Sequence, residues 1–179
     1  MVYFVDAAHF VLAPFLGYLW TKVRRFIKAP SGRKRFNVLG ALNAVTHELI
    51  AVTNDAYINA ESVCSLLLKI AAAHPGVPIT LILDNARYQK CKLVTAMADS
   101  LNIELKYLPA YSPNLNLIER LWKFVKKKVL YSKYYSDFAT FSGAIQGCLA
   151  RTHTDYKPEL DTLLTLNFQT FSKPQIPAV

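Results

Sequence analysis

Acidic residues are in short supply in this sequence: 12 Asp and Glu stand against 21 Lys and Arg over 179 residues, leaving a formal net charge of +9. That imbalance points to a polyanionic partner, nucleic acid ahead of an anionic membrane surface. Cysteines are few and odd in number. Cys64, Cys91 and Cys148 lie far apart among apolar neighbours, which excludes a disulfide framework and predicts reduced thiols in a cytosolic protein. Long hydrophobic runs are missing as well. The most apolar stretch, Phe10 to Trp20, contains Pro14 and Gly17 and falls short of the ~20 residues that span a bilayer. No basic residue precedes that stretch and no cleavage site follows it, so it is not a secretory signal. His9, His47, His74 and His153 lack zinc-like spacing, and there is neither an internal repeat nor a low-complexity linker. What remains is a chain of 53% hydrophobic residues, enough for one proper core and short for two. It is expected in the cytoplasm, among the DNA of the nucleoid, with no membrane partner.

Val2–Val5 is a short apolar run ending at Asp6, which predicts a buried strand with a carboxylate at its C-terminal end. Tyr18 to Lys28 mixes aromatic and β-branched residues with Lys22, Arg24, Arg25 and Lys28, predicting a second strand with one basic side. A turn follows at Ala29-Pro30-Ser31-Gly32. Phe36–Val45 and Leu49–Thr53, joined at His47-Glu48, complete an antiparallel meander. The period then becomes helical from Asn59 to Ala73, with Val63, Leu66, Leu67 and Ile70 on one face. Ile79–Leu83 is a continuous apolar run ending at Asp84. A helix from about Lys90 to Ser100, a strand Ile103–Leu108, and helices Asn114–Tyr131 and Asp137–Ala150 follow. Meander strands feeding alternating β and α units imply an α/β fold with a mixed sheet and helices on its faces. Residues 1–150 are read as this domain. Residues 151–179 are read as an extension ending in a frayed tail from Lys173 to Val179.

Three carboxylates fall where such a sheet would gather them. Asp6 and Asp84 each follow an apolar strand, and Glu119 lies in the first turns of the helix after Pro113. Sites in open α/β sheets form outside the carboxyl ends of the strands, so two strand-end aspartates and a helical glutamate at that edge could share divalent cations. Phosphodiester cleavage uses this kind of cluster, with two Mg²⁺ ions ~3.5–4 Å apart activating the attacking oxygen and stabilising the leaving one. Hard oxygen ligands select Mg²⁺ or Mn²⁺ over zinc. A strand-end Asp serves equally well as a helix cap or turn former, and Asp84-Asn85 could cap the helix that follows. On the carboxylates alone both readings stand.

The residues around them carry a resemblance. FVDAAHF around Asp6, VLGALNAVTHEL from 38 to 49, ITLILDNARYQK around Asp84 and LKYLPAYSPNLNLIERLWKFVKKKV from 105 to 129 resemble the DDE transposases of the mariner and IS-six-thirty superfamily. The most specific piece is Tyr111-Ser112-Pro113-Asn114-Leu115-Asn116 leading into Ile118-Glu119-Arg120-Leu121-Trp122. Positions 85 through 118, 34 residues, separate Asp84 from Glu119, as is usual in that superfamily's bacterial branch. The resemblance implies a ribonuclease H-like domain with a five-stranded sheet. In it, Asp6, Asp84 and Glu119 hold two divalent cations, Mg²⁺ or Mn²⁺. Asn85 and Asn116 are read as supporting residues beside them, and His9 is close enough in sequence to Asp6 to touch the site, with a packed or turn histidine as the alternative. The resemblance also implies cleavage at the ends of an insertion sequence, then attack by the freed 3′ hydroxyl on target DNA, by a homodimer bridging two double-stranded ends. Departures from the pattern are Ala7, Asn114 and Leu117, where relatives often have Glu, Glu and Pro, and Tyr88-Gln89-Lys90, where they often have a His. Relatives usually carry a helix-turn-helix region before the first Asp; here Met1 lies five positions ahead of Asp6, implying a truncated chain or a separately encoded N-terminal half.

Two basic clusters complete the reading. Lys123, Lys126 and Lys127 share a helix side with Glu119, which places them for phosphates beside the carboxylates; a solvated lysine face near a helix C-terminus is the alternative. Lys128 falls among apolar positions and is expected to snorkel. Arg24, Arg25, Arg33, Lys34 and Arg35, with Lys22 and Lys28, could track a DNA backbone or merely solvate a hairpin. Trp20 and Trp122 read as core or interface residues. The rival functions are another ribonuclease H-like nuclease, for which Glu61 would supply a fourth carboxylate, and a DNA-binding transposase remnant without catalysis.

Overall fold

Five strands form one mixed sheet in the order β3-β2-β1-β4-β5, in a computed structural model that describes residues 1–12, 22–24, 34–110 and 112–168. β1 (Val2–Val11), β2 (Arg35–Asn43) and β3 (Leu49–Asn54) make the antiparallel meander, and β4 (Ile79–Leu83) and β5 (Ile103–Tyr107) extend the sheet in parallel from β1. β1 is longer than its apolar run predicts and passes straight through Asp6. Its first residues are enclosed between β2 and β4, with Val2–Phe4 matched to Thr80–Ile82. Beyond them only β2 pairs with it, so the residues alternate in burial instead of staying uniformly apolar. The expected strand at Tyr18 to Lys28 is not seen where it can be checked. Lys22, Val23 and Arg24 are exposed bend and loop, and the rest of that stretch, the 29–32 turn, Trp20, Tyr111 and the 173–179 tail lie outside the described residues.

The two sheet faces carry separate cores. On one, α1 (Ala60–Ala73) and α2 (Lys92–Ser100) cover Tyr3, Val5, Leu39, Ala41, Leu81 and Leu83 with Val63, Leu66, Leu67, Ile70 and Val94. On the other, α3 (Ile118–Val129), α4 (Phe138–Ala150) and α5 (Lys157–Leu163) cover Phe4, Ala8, Phe10, Val38 and Leu42. Each fully buried Leu or Phe here contributes roughly 1.5–3 kcal/mol. α1 starts where its sequence signal lies: Asn59 Oδ1 accepts from the Ser62 backbone N–H at 3.0 Å, and the Ser62 hydroxyl accepts in return from Asn59. α5 has no counterpart in the sequence reading, because seven residues are too few to display a period. It buries Leu160 and Leu164 against the α3 side. Lys128 lies over the Phe124 and Tyr156 rings and ends on Glu159 at 2.8 Å, an aliphatic stem in the core with its charge at the rim. All three cysteines are free. Among the described residues no helix is long and apolar enough to cross a membrane.

Candidate active site

The parallel register between β1 and β4 carries the first two carboxylates just past the last matched pair of the ladder. Phe4 is matched to Ile82, so two residues further along each strand Asp6 stands level with Asp84. Asp84 is the first residue after β4, and the turn behind it is held firmly. Asn85 adopts a positive φ of 80°, a conformation Asn tolerates better than most side chains; its amide donates to Leu108 O, and Leu108 N–H donates to Leu83 O. Asp84 Oδ1 accepts from Ala86 N–H at 3.2 Å. It caps no helix, however, since α2 begins after Cys91 and the 3-10 turn Arg87–Gln89 after Ala86.

The third carboxylate arrives from the other side of the sheet edge. Pro113–Leu115 form a 3-10 turn, so α3 starts at Ile118, later than the predicted Asn114. Buried Asn116 donates from Nδ2 to Val5 O at 3.2 Å, tying the start of α3 to β1 one residue before Asp6. Asp84, Asn116 and Glu119, with Leu108, Pro109, Ser112 and Pro113, line one cavity of about 160 Å³. Asn116 Oδ1 and Asn85 Oδ1 are buried without a protein partner. One turn along α3, Trp122 Nε1–H donates to Asp6 Oδ2 at 3.0 Å. The indole reaches that oxygen across Gly40, which is directly opposite Asp6 on β2.

The fields of the other two acids reach Asp6. Burial pushes the Asp6 carboxyl from its ordinary 3.8 up to about 7; Glu119 and, less strongly, Asp84 push the same way, against hydrogen bonds from the Ala7 backbone and Trp122. The Tyr88 phenol is pushed up to about 12 by burial and then by Asp84 and Asp6, so it stays protonated. Among the described residues no three of His, Cys, Asp and Glu are gathered as a metal-ion cage. The donor set nevertheless fits hard divalent cations: all three groups are carboxylates, neutral amide oxygens stand without a protein partner beside them, and a cation there would offset both the burial and the neighbouring negative fields that oppose the charge on Asp6.

The other predicted site residues divide. Lys123 shares a cavity with Glu119, Asn116 and Arg120; further along α3, Lys126 is half-buried and Lys127 exposed. His9 lies three residues from Asp6 on the same strand and so points to the opposite face. Its Nδ1–H donates to Asn37 Oδ1 at 2.6 Å, the Asn37 amide being occupied by Asn54 and Ala56, and it does not support Asp6. Lys34 and Arg35 are exposed at the entry to β2, where Arg35 pairs with Val11, roughly 16 Å along β1 from Asp6. They border a separate open cavity with Asp55, Tyr57 and Phe138. Arg24 is exposed, and Arg25 and Arg33 lie outside the described residues. Glu61 sits on α1, on the face away from α3, and the acids acting on Asp6 are Glu119 and Asp84. Three residues escaped the sequence reading: Gly40, Trp122 as a partner of Asp6, and Arg120, whose guanidinium donates to the carbonyls of Leu163, Thr165 and Asn167. The adjacency of Arg120 and Trp122 to Glu119 was the only available signal for the latter two.

Solved structures share this fold at low sequence identity. The Mos1 strand transfer complex aligns with a TM-score of 0.61 at 14% identity, covering 96% of this chain and 56% of that one. The mariner Mos1 paired end complex with Mg gives 0.64 at 13%, covering 91% and 52%. The HTLV-2 integrase catalytic core domain in complex with magnesium gives 0.56 at 14%, covering 86% of each. The chain thus spans about half the length of the Mos1 chains, and the expected ribonuclease H-like architecture holds through these transposase and integrase cores. None of the curated proteins matches the sequence. The family model of the DDE superfamily endonuclease, however, matches residues 1–142, well over half the chain, and the protein belongs to that family.

Proposed function

We propose that this chain is the catalytic domain of an insertion-sequence DNA transposase, cutting and rejoining DNA strands with Asp6, Asp84 and Glu119. The observation that supports the reading is the placement of Asp6 on β1, Asp84 just after β4 and Glu119 in the first turn of α3, near enough for the fields of Glu119 and Asp84 to reach the buried Asp6 carboxyl. Two divalent cations, Mg²⁺ or Mn²⁺, would supply Lewis-acid activation and charge neutralisation at the phosphodiester. The chain's own part is to present ligands from rigid elements. Asp6 and Asp84 come from neighbouring strands in register, Glu119 comes from a helix pinned by Asn116, and Lys123 stands beside Glu119 to receive a phosphate. Residues 1–150 carry this domain and the later residues an extension. The substrates are double-stranded transposon ends and target DNA, handled in a bacterial cytoplasm by a homodimer, with a separately encoded helix-turn-helix half as a further partner.

The test is nicking of supercoiled DNA by the purified chain with Mg²⁺ or Mn²⁺. Cutting should require the metal and fall by at least about 100-fold in Asp84→Ala. Cutting that persists in that variant would sink the assignment.

A further inference from the structure

Trp122 is the largest fully buried side chain among the described residues, at 1% exposure, and a phenyl ring would fill much of the same space. What a phenyl ring lacks is the N–H. A buried indole N–H needs an acceptor, and here the acceptor is a carboxylate oxygen of the candidate site, Asp6 Oδ2 at 3.0 Å. The opposing strand is shaped to allow this. Gly40 is the residue matched to Asp6 on β2, and a Cβ there would lie 2.8 Å from Trp122 Cη2, 2.9 Å from Cζ2 and 3.1 Å from Ile118 Cδ1. Gly40 is thus the slot through which the indole crosses the sheet surface. Glu119 and Trp122 sit three residues apart on α3, so one helix delivers both a carboxylate and the group that orients its neighbour.

We infer that Trp122 is a positioning residue for Asp6: its indole N–H fixes Oδ2 and the side-chain rotamer, so that the carboxylate is presented to a divalent cation shared with Asp84 and Glu119. The inference rests on the reading of Asp6 as a cation ligand. Partners that orient a ligating carboxylate typically change metal affinity by about 10–100-fold when removed, and that is the effect expected of losing this hydrogen bond.

The experiment measures Mn²⁺ affinity by calorimetry and follows the indole N–H resonances during Mg²⁺ titration, in the wild-type chain, Trp122→Phe and Asp6→Asn. Because Trp122→Phe could fail to fold, a second protein carries an isosteric benzothienyl ring in place of the Trp122 indole, keeping the shape and losing only the N–H. The expected result has three parts. The Trp122 resonance, identified by its absence from Trp122→Phe, shifts as Mg²⁺ binds. Mn²⁺ affinity falls by about 10–100-fold in the benzothienyl protein. The denaturation midpoint of that protein in metal-free buffer stays near the wild-type value. Binding within about threefold of wild type, with Asp6→Asn strongly impaired, would overturn the positioning role while leaving Asp6 a ligand. Equal binding by wild type and Asp6→Asn would instead overturn the site reading itself, and the inference with it.

Discussion

In metal-free buffer, Asp6→Asn should make the protein more stable. In the folded chain Asp6 ionises only near pH 7, against an ordinary value of 3.8, because burial and then the fields of Glu119 and Asp84 oppose its charge. A difference of about 3 pH units corresponds to about 4 kcal/mol favouring the neutral group. Solvent reaching the partly buried carboxylate screens part of this, and an amide oxygen accepts the Trp122 bond less strongly than a carboxylate does. A net gain of about 2 kcal/mol at about pH 8 remains, equivalent to a rise in melting temperature of roughly 4–8 °C. The pH dependence has a definite sign. Between about pH 4 and about pH 7 the folded chain keeps the Asp6 proton that the unfolded chain has lost. Wild-type stability therefore falls as pH rises through that window and levels off above it, a component the variant lacks. Urea denaturation of both proteins in chelator, from about pH 5 to about pH 8, should show their midpoints separating as pH rises. Saturating Mg²⁺ should close the gap by stabilising the wild-type fold. Midpoints that stay parallel across the window, or a variant less stable at about pH 8, would refute the argument that Asp6 is held charged against the interest of the fold.

Gly40→Ala forces a Cβ to within 3 Å of the Trp122 ring and should cost about 1–3 kcal/mol, read as a lower denaturation midpoint. Arg120→Ala removes the donors to Leu163, Thr165 and Asn167; segment 163–168 should then exchange its amides faster and be cut earlier in limited proteolysis, with local opening easier by about 1–3 kcal/mol. Asn59→Ala removes the α1 cap and should lower global stability by about 1 kcal/mol in urea denaturation.

Much of the sheet was legible because most of its strands announce themselves as short apolar runs. Ile79–Leu83 was bounded correctly at both ends, and the α1 helix began at its Asn cap. Asp84 and Glu119 could be placed since each follows a strong local signal, an apolar run for one and a proline turn for the other. β1 was cut short because a charged residue reads locally as a strand end, whereas β2 carries the ladder past Asp6 to Val11. Contacts between distant residues left no mark on local pattern: nothing near Gly40 says that Trp122 will lie across it, and nothing near Trp122 says that its N–H will meet Asp6. His9 went the other way. Closeness in sequence suggested closeness in space, but the twofold alternation of the strand put it on the wrong face.

The placement of β1 at the centre of the sheet, with β2 and β3 to one side and β4 and β5 to the other, also fixes when during synthesis the acid cluster can form. The nascent chain offers Asp6 first, and the meander can close on it as local hairpins while translation continues. Asp84 follows with β4, and Glu119 comes only with α3, which also supplies the indole that steadies Asp6. A ribosome that stalls or terminates early therefore releases a chain with an incomplete acid cluster.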